Sequence, residues 1–287
     1  MAKTRVHQIL DKTGSLVFPG VYDTLSARIA ARAGAPLAFV SGYSLAATAI
    51  GEPDFGLLTQ TEMTDRARRI CMAVDIPVIV DADTGYGNPL NVYRTINELI
   101  AAGAAGCFLE DQVWPKKCGH MRGKKVIDAS NYIDKIRAAD AARDGRDFFI
   151  VARTDALAVG GMDDAIARVQ AARQAGADGS FIEAPTSLDE LAEIGRRSPA
   201  PNVANMIVGG RTPFLPKDEL AKLGFQLIVH PLAGLFSAAK AIQRTYRKLQ
   251  ATGGASGDED HQMSFTEFNE LIGLEEKYAL GQQFRAE

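Results

Sequence analysis

The feature that most constrains this chain is a recurring unit. An amphipathic stretch at helical spacing is followed by a glycine, a short continuous apolar run, and then a polar or charged residue. Gly34, Gly103, Gly176 and Gly224 carry the glycine position. A glycine there suits the left-handed residue after a helix end. The apolar runs lie at 16–18, 37–40, 76–80, 106–109, 148–151, 181–182, 203–204 and 225–229. Strands that are apolar at every position are covered on both faces, as in a parallel sheet packed by helices. Eight such runs point to an α/β fold and to a closed (β/α)8 TIM barrel. An open doubly wound sheet is the alternative, but the Gly-x-Gly-x-x-Gly turn of a dinucleotide-binding sheet is missing.

Residues 1–250 are enough for one barrel catalytic domain. Residues 240–249 read as a basic helix, and 251–262 are rich in Gly, Ser, Asp and Glu. Ser264 and Glu267 have capping-box spacing ahead of Phe268, Leu271 and Ile272. Residues 251–287 are therefore expected to be a linker and a C-terminal helix. Its apolar stripe needs a surface, on its own barrel or on a neighbouring subunit.

A net charge of −3 gives no bulk attraction to nucleic acid or anionic lipid. No apolar run is long enough to span a bilayer, and the N-terminus has no signal-peptide block. Cys71, Cys107 and Cys118 show no paired spacing, which suits a reduced, cytoplasmic setting. Cys71 and Cys107 fall on apolar faces and are expected to be packing. A small-molecule di-acid is the expected partner.

In such barrels functional groups collect where strands end. Here the strand ends carry Ser41, Asp81 and Asp83, Glu110 and Asp111, Arg153, Glu183, Asn205 and His230. Asp81 and Asp83 are two apart on a strand, so their side chains point the same way. Paired carboxylates repel unless a cation lies between them. A hard divalent ion with retained water fits, Mg2+ best and Mn2+ as substitute. Glu110 and Asp54 are expected to complete the ligands. Zn2+ is disfavoured for want of a His/Cys cluster. Arg153 offers a planar fork for a carboxylate. Ser41, Gly42 and Tyr43 offer hydroxyl and backbone donors. Together these describe a pocket for a small di-acid bearing a hydroxyl or keto group.

The loop Trp114-Pro115-Lys116-Lys117-Cys118-Gly119-His120 brings cations beside a thiol, which eases loss of its proton. Such a thiol suits a general acid toward a carbanion. Trp114 is a candidate pocket wall, Arg122 a candidate extra cation, and Lys124 and Lys125 are expected to be solvated.

Asp81-Ala82-Asp83-Thr84-Gly85-Tyr86-Gly87-Asn88, Glu110-Asp111-Gln112 and Lys116-Lys117-Cys118-Gly119-His120 together resemble the isocitrate lyase/phosphoenolpyruvate mutase superfamily. Asp54 in Gly-Glu-Pro-Asp-Phe-Gly, Arg153 in Ala-Arg-Thr-Asp and Asn205-Met206 match as well. The Lys-Lys-Cys-Gly-His loop is similar to the lyase branch, whose relatives act on alkyl malates and oxaloacetate. The resemblance implies a Mg2+-dependent barrel whose last helix is exchanged between subunits of a homotetramer. It also implies retro-aldol cleavage of a malate-like substrate. The implied catalytic set is Cys118, Lys117, His120, Arg153 and Glu183. Substrate contacts fall to Ser41, Gly42, Tyr43, Gly119, His120, Arg153 and Asn205, and the metal to Asp81, Asp83, Glu110 and Asp54. Cleavage of 2-methylisocitrate and a carboxyphosphonoenolpyruvate mutase activity are the alternatives.

Overall fold

The computed structural model describes residues 3–254 and 262–284. The chain forms two compact units, 1–233 and 234–287.

The first unit opens with helix α1 (Arg5–Thr13) and strand β1 (Leu16–Val21). Then follow α2 (Thr24–Arg32), β2 (Ala38–Val40), a single turn α3 (Gly42–Leu45), a π-helical turn over Ala46–Ile50, and α4 (Gln60–Cys71). The pattern continues through β3 (Val78–Asp81), α5 (Pro89–Ala101), β4 (Gly106–Glu110), α6 (Ala129–Arg143), β5 (Phe149–Thr154) and α7 (Met162–Gln174). It finishes with β6 (Gly179–Ile182), α8 (Leu188–Arg197), β7 (Val203–Asn205), α9 (Lys217–Lys222) and β8 (Leu227–His230).

All eight strands are parallel, in the order β6-β5-β4-β3-β2-β1-β8-β7. The last seam is narrow: one parallel bridge, Ser180 to Asn202, joins the β6 and β7 sides. This is the expected TIM-type barrel. The four glycines of the recurring unit take positive φ, from 81° at Gly34 to 113° at Gly176. Capping boxes start several helices, at Thr4 with His7, Asp23 with Ser26, Thr59 with Glu62 and Asn88 with Asn91. Each satisfies backbone N–H groups that a helix start leaves unpaired.

Strand alternation sorts the apolar residues into two layers. Leu16, Phe18, Phe39, Ile79, Phe108, Phe149, Val151, Phe181, Val203, Leu227 and Val229 fill the barrel interior, with Val6 of α1 in the same cluster. The intervening residues, such as Val80, Cys107, Leu109 and Ile150, pack outward on helix residues Ile96, Leu99 and Ile136. Phe108 stacks against Phe39 and Phe181, with ring centroids 4.6 and 5.5 Å away. Truncating such a buried ring to alanine typically costs about 3–5 kcal/mol. Side chains two residues beyond an interior residue point the same way. This carries Phe39 to Ser41, Ile79 to Asp81, Phe108 to Glu110, Val151 to Arg153, Phe181 to Glu183 and Val203 to Asn205. The aromatic layer is therefore the floor beneath a ring of polar strand ends.

The second unit holds α10 (Ala233–Thr252), α11 (Phe265–Ile272) and α12 (Leu274–Gln282). Ser264 and Glu267 form the expected capping box. Most of the expected linker, residues 255–261, lies outside the described residues. Among the described residues no helix is long and apolar enough to cross a membrane.

Candidate active site

The strand ends converge on one pocket. Its walls include Ser41, Tyr43, Asp54, Asp81, Cys118, Gly119, His120, Arg153, Glu183 and Asn205, over a floor of Phe39, Phe108, Phe181 and Val229. Ile207, Pro231 and Leu232 complete it with an apolar side. Gly42, Asp83, Glu110 and Lys117 do not line this pocket. Trp114 also stays outside it: the indole is 40% exposed and packs edge-on against Tyr86, 5.5 Å away. The apolar wall expected of Trp114 is supplied instead by Ile207 and Leu232. Arg122 is exposed.

Asp81 ends β3, but Asp83 lies beyond the strand with φ +47°. Their carboxylates meet through this left-handed turn and not through strand alternation. Asp tolerates that conformation better than most residues. Asp81 accepts from the N–H groups of Gly42 and Asp83, at 3.3 and 3.2 Å. A Cβ on Gly42 would lie 2.9 Å from an Asp81 oxygen and 3.4 Å from one of Asp83, so both acids border the Gly42 backbone. Tyr86 donates its hydroxyl to Asp83 at 3.1 Å.

Lys116 is the residue that the sequence reading passed over. It is buried, and its ammonium lies 2.7 Å from Asp54 and 2.7 Å from Asp83. Asp54 is thus an ion-pair partner of Lys116. Burial pushes the Asp83 carboxyl up to about 7 against the pull of Lys116, with Asp81 and Asp54 adding to the rise. Glu110 is raised well above its ordinary range, first by burial, although Arg153 opposes the rise. One Glu110 oxygen, Oε1, is buried with no hydrogen-bond partner. Among the described residues no group of three or more His, Cys, Asp or Glu side chains is placed to hold a metal ion.

Arg153 crosses the floor with its guanidinium 5.4 Å above the Phe181 ring. Its fork meets Glu110 at 3.2 Å, Asp155 at 3.1 Å and Glu183 at 3.3 Å. Burial alone would raise Glu183, but Arg153 and His120 outweigh it and hold the carboxyl at about 2. His120 Nδ1 accepts the Arg211 N–H at 3.0 Å. A proton on the neutral ring therefore belongs on Nε2, 3.2 Å from Glu183. Asn205 donates weakly to Glu183 at 3.4 Å. Gly119 has no room for a side chain: a Cβ there would lie 2.3 Å from Glu183 and 2.5 Å from Arg153.

Burial pushes the Cys118 thiol up to about 11, and nearby Asp54 and Glu183 add to the rise. Neighbouring cations were expected to ease loss of this proton; instead the thiol is kept protonated. Tyr43 is raised too, by burial first and then by Cys118 and Asp54. Among the described residues Lys117 makes no ion pair with the acids; its ammonium would lie 3.3 Å from a Cβ built on Gly123. Its backbone is clamped by Gln112, which accepts its N–H at 3.0 Å and donates to its carbonyl at 2.8 Å. Lys124, expected in solvent, is buried with its ammonium 2.6 Å from Asp155 and 2.6 Å from the Gly119 carbonyl. Cys71 and Cys107 lie in the core layer. His230 ends β8 beside the Phe214 ring and does not line the pocket.

Residues 6–250 match the family model described as phosphoenolpyruvate phosphomutase. The chain belongs to the PEP mutase/isocitrate lyase superfamily. It is an enzyme of this superfamily, whose named members are lyases and mutases. It is 50% identical to the chloroplastic carboxyvinyl-carboxyphosphonate phosphorylmutase of Arabidopsis thaliana, over 97% of this chain and 83% of that one. It is 48% identical to the petal death protein of Dianthus caryophyllus, over 99% and 89%. Superfamily members of known structure share the fold. 2,3-Dimethylmalate lyase superposes with a TM-score of 0.91 at 36% identity, covering 99% of this chain and 96% of that one. Oxaloacetate acetylhydrolase bound to 3,3-difluorooxalacetate gives 0.91 at 35%, covering 99% and 97%. Phosphonopyruvate hydrolase, solved with oxalate and Mg++, gives 0.88 at 28%, covering 98% of each chain.

Proposed function

We propose that this enzyme is a Mg2+-dependent carbon–carbon lyase for a 2-hydroxy dicarboxylate of the alkyl-malate type, such as 2,3-dimethylmalate. Hydrolysis of oxaloacetate to oxalate and acetate is proposed as a second activity of the same pocket. The observation that carries the reading is the place of Cys118 in the wall of one pocket with Asp81, Arg153 and Glu183 and with the apolar Ile207 and Leu232.

The donor set fits Mg2+. Asp81 and Asp83 border one small space beside Gly42, and Glu110 Oε1 is buried without a partner. These are hard oxygen donors, and Mg2+ usually keeps several waters while taking one or two carboxylates. Asp81, Asp83 and Glu110 would hold the ion, and Mn2+ would accept the same ligands. When bound, the ion polarises the hydroxyl and carboxylate oxygens of the substrate.

The chain's own groups do the rest. Arg153 supplies positive charge at the floor for a substrate carboxylate. Ser41, Tyr43 and Asn205 add neutral donors at the rim. A general base, to which no side chain is assigned, takes the hydroxyl proton as the hydroxyl carbon becomes a keto carbon and the adjacent C–C bond breaks. The bonding electron pair passes to the carbon beside the second carboxylate. Cys118 gives its proton to that carbon. A thiol near pKa 11 is protonated at neutral pH yet far more acidic than the C–H bond it makes.

A third substrate carboxylate would need a further fixed cation, since an unpaired buried charge costs several kcal/mol. Arg122 is exposed and outside the pocket, which favours a dicarboxylate over 2-methylisocitrate. The second reading is a carboxyphosphonoenolpyruvate mutase, favoured by the name of the 50% identical relative. Product detection by NMR with Mg2+ and four substrates tests both. The substrates are 2,3-dimethylmalate, oxaloacetate, 2-methylisocitrate and carboxyphosphonoenolpyruvate. Conversion of the phosphonate alone would replace the lyase reading.

A homotetramer with exchanged terminal helices is proposed on the α11 stripe of Phe268, Leu271 and Ile272, of which Phe268 and Ile272 are exposed while Leu271 is already buried. Free Cys71, Cys107 and Cys118 suit a reducing compartment.

A further inference from the structure

The loop that bears Cys118 is fastened at both ends to one carboxylate. Asp155 follows β5 and is fully buried. Its Oδ1 receives Lys124 at 2.6 Å, and its Oδ2 receives Gln112 at 3.2 Å and Arg153 at 3.2 Å. Gln112 grips the backbone of Lys117, one residue before the thiol. Lys124 also donates to the carbonyl of Gly119, one residue after it, at 2.6 Å. Cys118 therefore sits between two anchors that meet at Asp155.

Neither Lys124 nor Asp155 lines the pocket, and simple folding does not call for the arrangement. A loop can be closed by its own backbone turns, whereas burying an ammonium is expensive unless every donor finds a partner. Here the charge is used on a peptide that has no space for a side chain. Gly119 is pressed against Glu183 and Arg153, so a shift of its carbonyl would move Cys118 and His120 relative to both.

We propose that Lys124 and Asp155 are positioning residues, a buried latch that fixes the Cys118 thiol over the bound substrate and ties the loop to the guanidinium of Arg153. The inference rests on the reading of Cys118 as proton donor. Its geometric part, that the latch keeps the thiol enclosed, stands or falls independently.

The test uses the full-length enzyme with Cys71 and Cys107 replaced by alanine. The alkylation rate of Cys118 by iodoacetamide is compared with and without Lys124→Met, and a thermal melt checks the fold. The latch predicts severalfold faster alkylation in folded Lys124→Met. It also predicts a kcat loss on the order of 10²-fold with a much smaller change in KM, as expected for a misplaced catalytic group. Lys124→Arg should recover part of both. Should Lys124→Met not fold, the same alkylation measurement on Gln112→Ala decides, again with faster reaction expected. An unchanged alkylation rate in a folded variant overturns the latch. Faster alkylation with unchanged kcat keeps the latch closure but overturns the positioning role, and Cys118→Ser kinetics then show whether the thiol is the donor at all.

Discussion

Lys116 and Asp83 form a buried ion pair, with 2.7 Å between ammonium and carboxylate, and the same ammonium bonds Asp54. The neighbouring Lys117 makes no such contact. Removing one partner of a buried pair strands the other charge, typically at a cost of about 3–5 kcal/mol. Lys116→Met should therefore lower unfolding free energy by about that amount in urea titrations, while Lys117→Ala changes it by less than about 1 kcal/mol. Equal effects would mean that Lys116 is not uniquely engaged.

Glu183 supplies a pH prediction. Its carboxyl is held at about 2, against 4.5 for a free glutamate. A depressed folded pKa stabilises above the unfolded value, and the contribution fades as pH falls toward the folded one. The stability advantage of the wild type over Glu183→Gln should be constant above pH ~5 and shrink between ~4.5 and ~2. Thermal melts across that range check it; an advantage that grows on acidification contradicts it.

Metal dependence follows from Asp81, Asp83 and the unpartnered Glu110 oxygen. Enzyme stripped with a chelator should lose turnover and regain it with Mg2+ or Mn2+. Calorimetry should show oxalate binding only with the ion present. Full turnover in chelator would remove the metal from the account.

The apolar wall predicts specificity. Ile207→Thr should raise KM for 2,3-dimethylmalate more than for unsubstituted malate. One methyl in an apolar pocket is worth about 1–3 kcal/mol, or roughly 10–200-fold in kcat/KM. Equal losses on both substrates would place the alkyl groups elsewhere.

The barrel and its strand ends could be read from the chain because both depend on period and parity. An interior Phe108 fixes Glu110, and Phe181 fixes Glu183, by alternation alone. The loop after β4 has no period. Nothing in Lys116-Lys117 says which ammonium turns inward, and nothing marks Lys124 as buried and Lys125 as exposed. Those choices depend on acids more than thirty residues away, Asp54 and Asp155. Trp114 misled for the same reason: a large apolar ring in a loop follows whichever neighbour it can stack on, here Tyr86. The turn at Asp83 was hidden because Asp-x-Asp reads as strand alternation until the backbone bends. The protonated state of Cys118 was hidden as well. Adjacent lysines in sequence suggest a lowered pKa, but Lys116 is spent on Asp54 and Asp83 and burial raises the thiol.

The most direct measurement is steady-state turnover of 2,3-dimethylmalate by Cys118→Ser, alongside the variant's affinity for oxalate with Mg2+. A serine hydroxyl is a much weaker acid than the thiol, and general-acid help is typically worth about 10²–10⁴-fold. The account predicts a kcat loss in that range with oxalate binding intact. Turnover close to the wild type would contradict it.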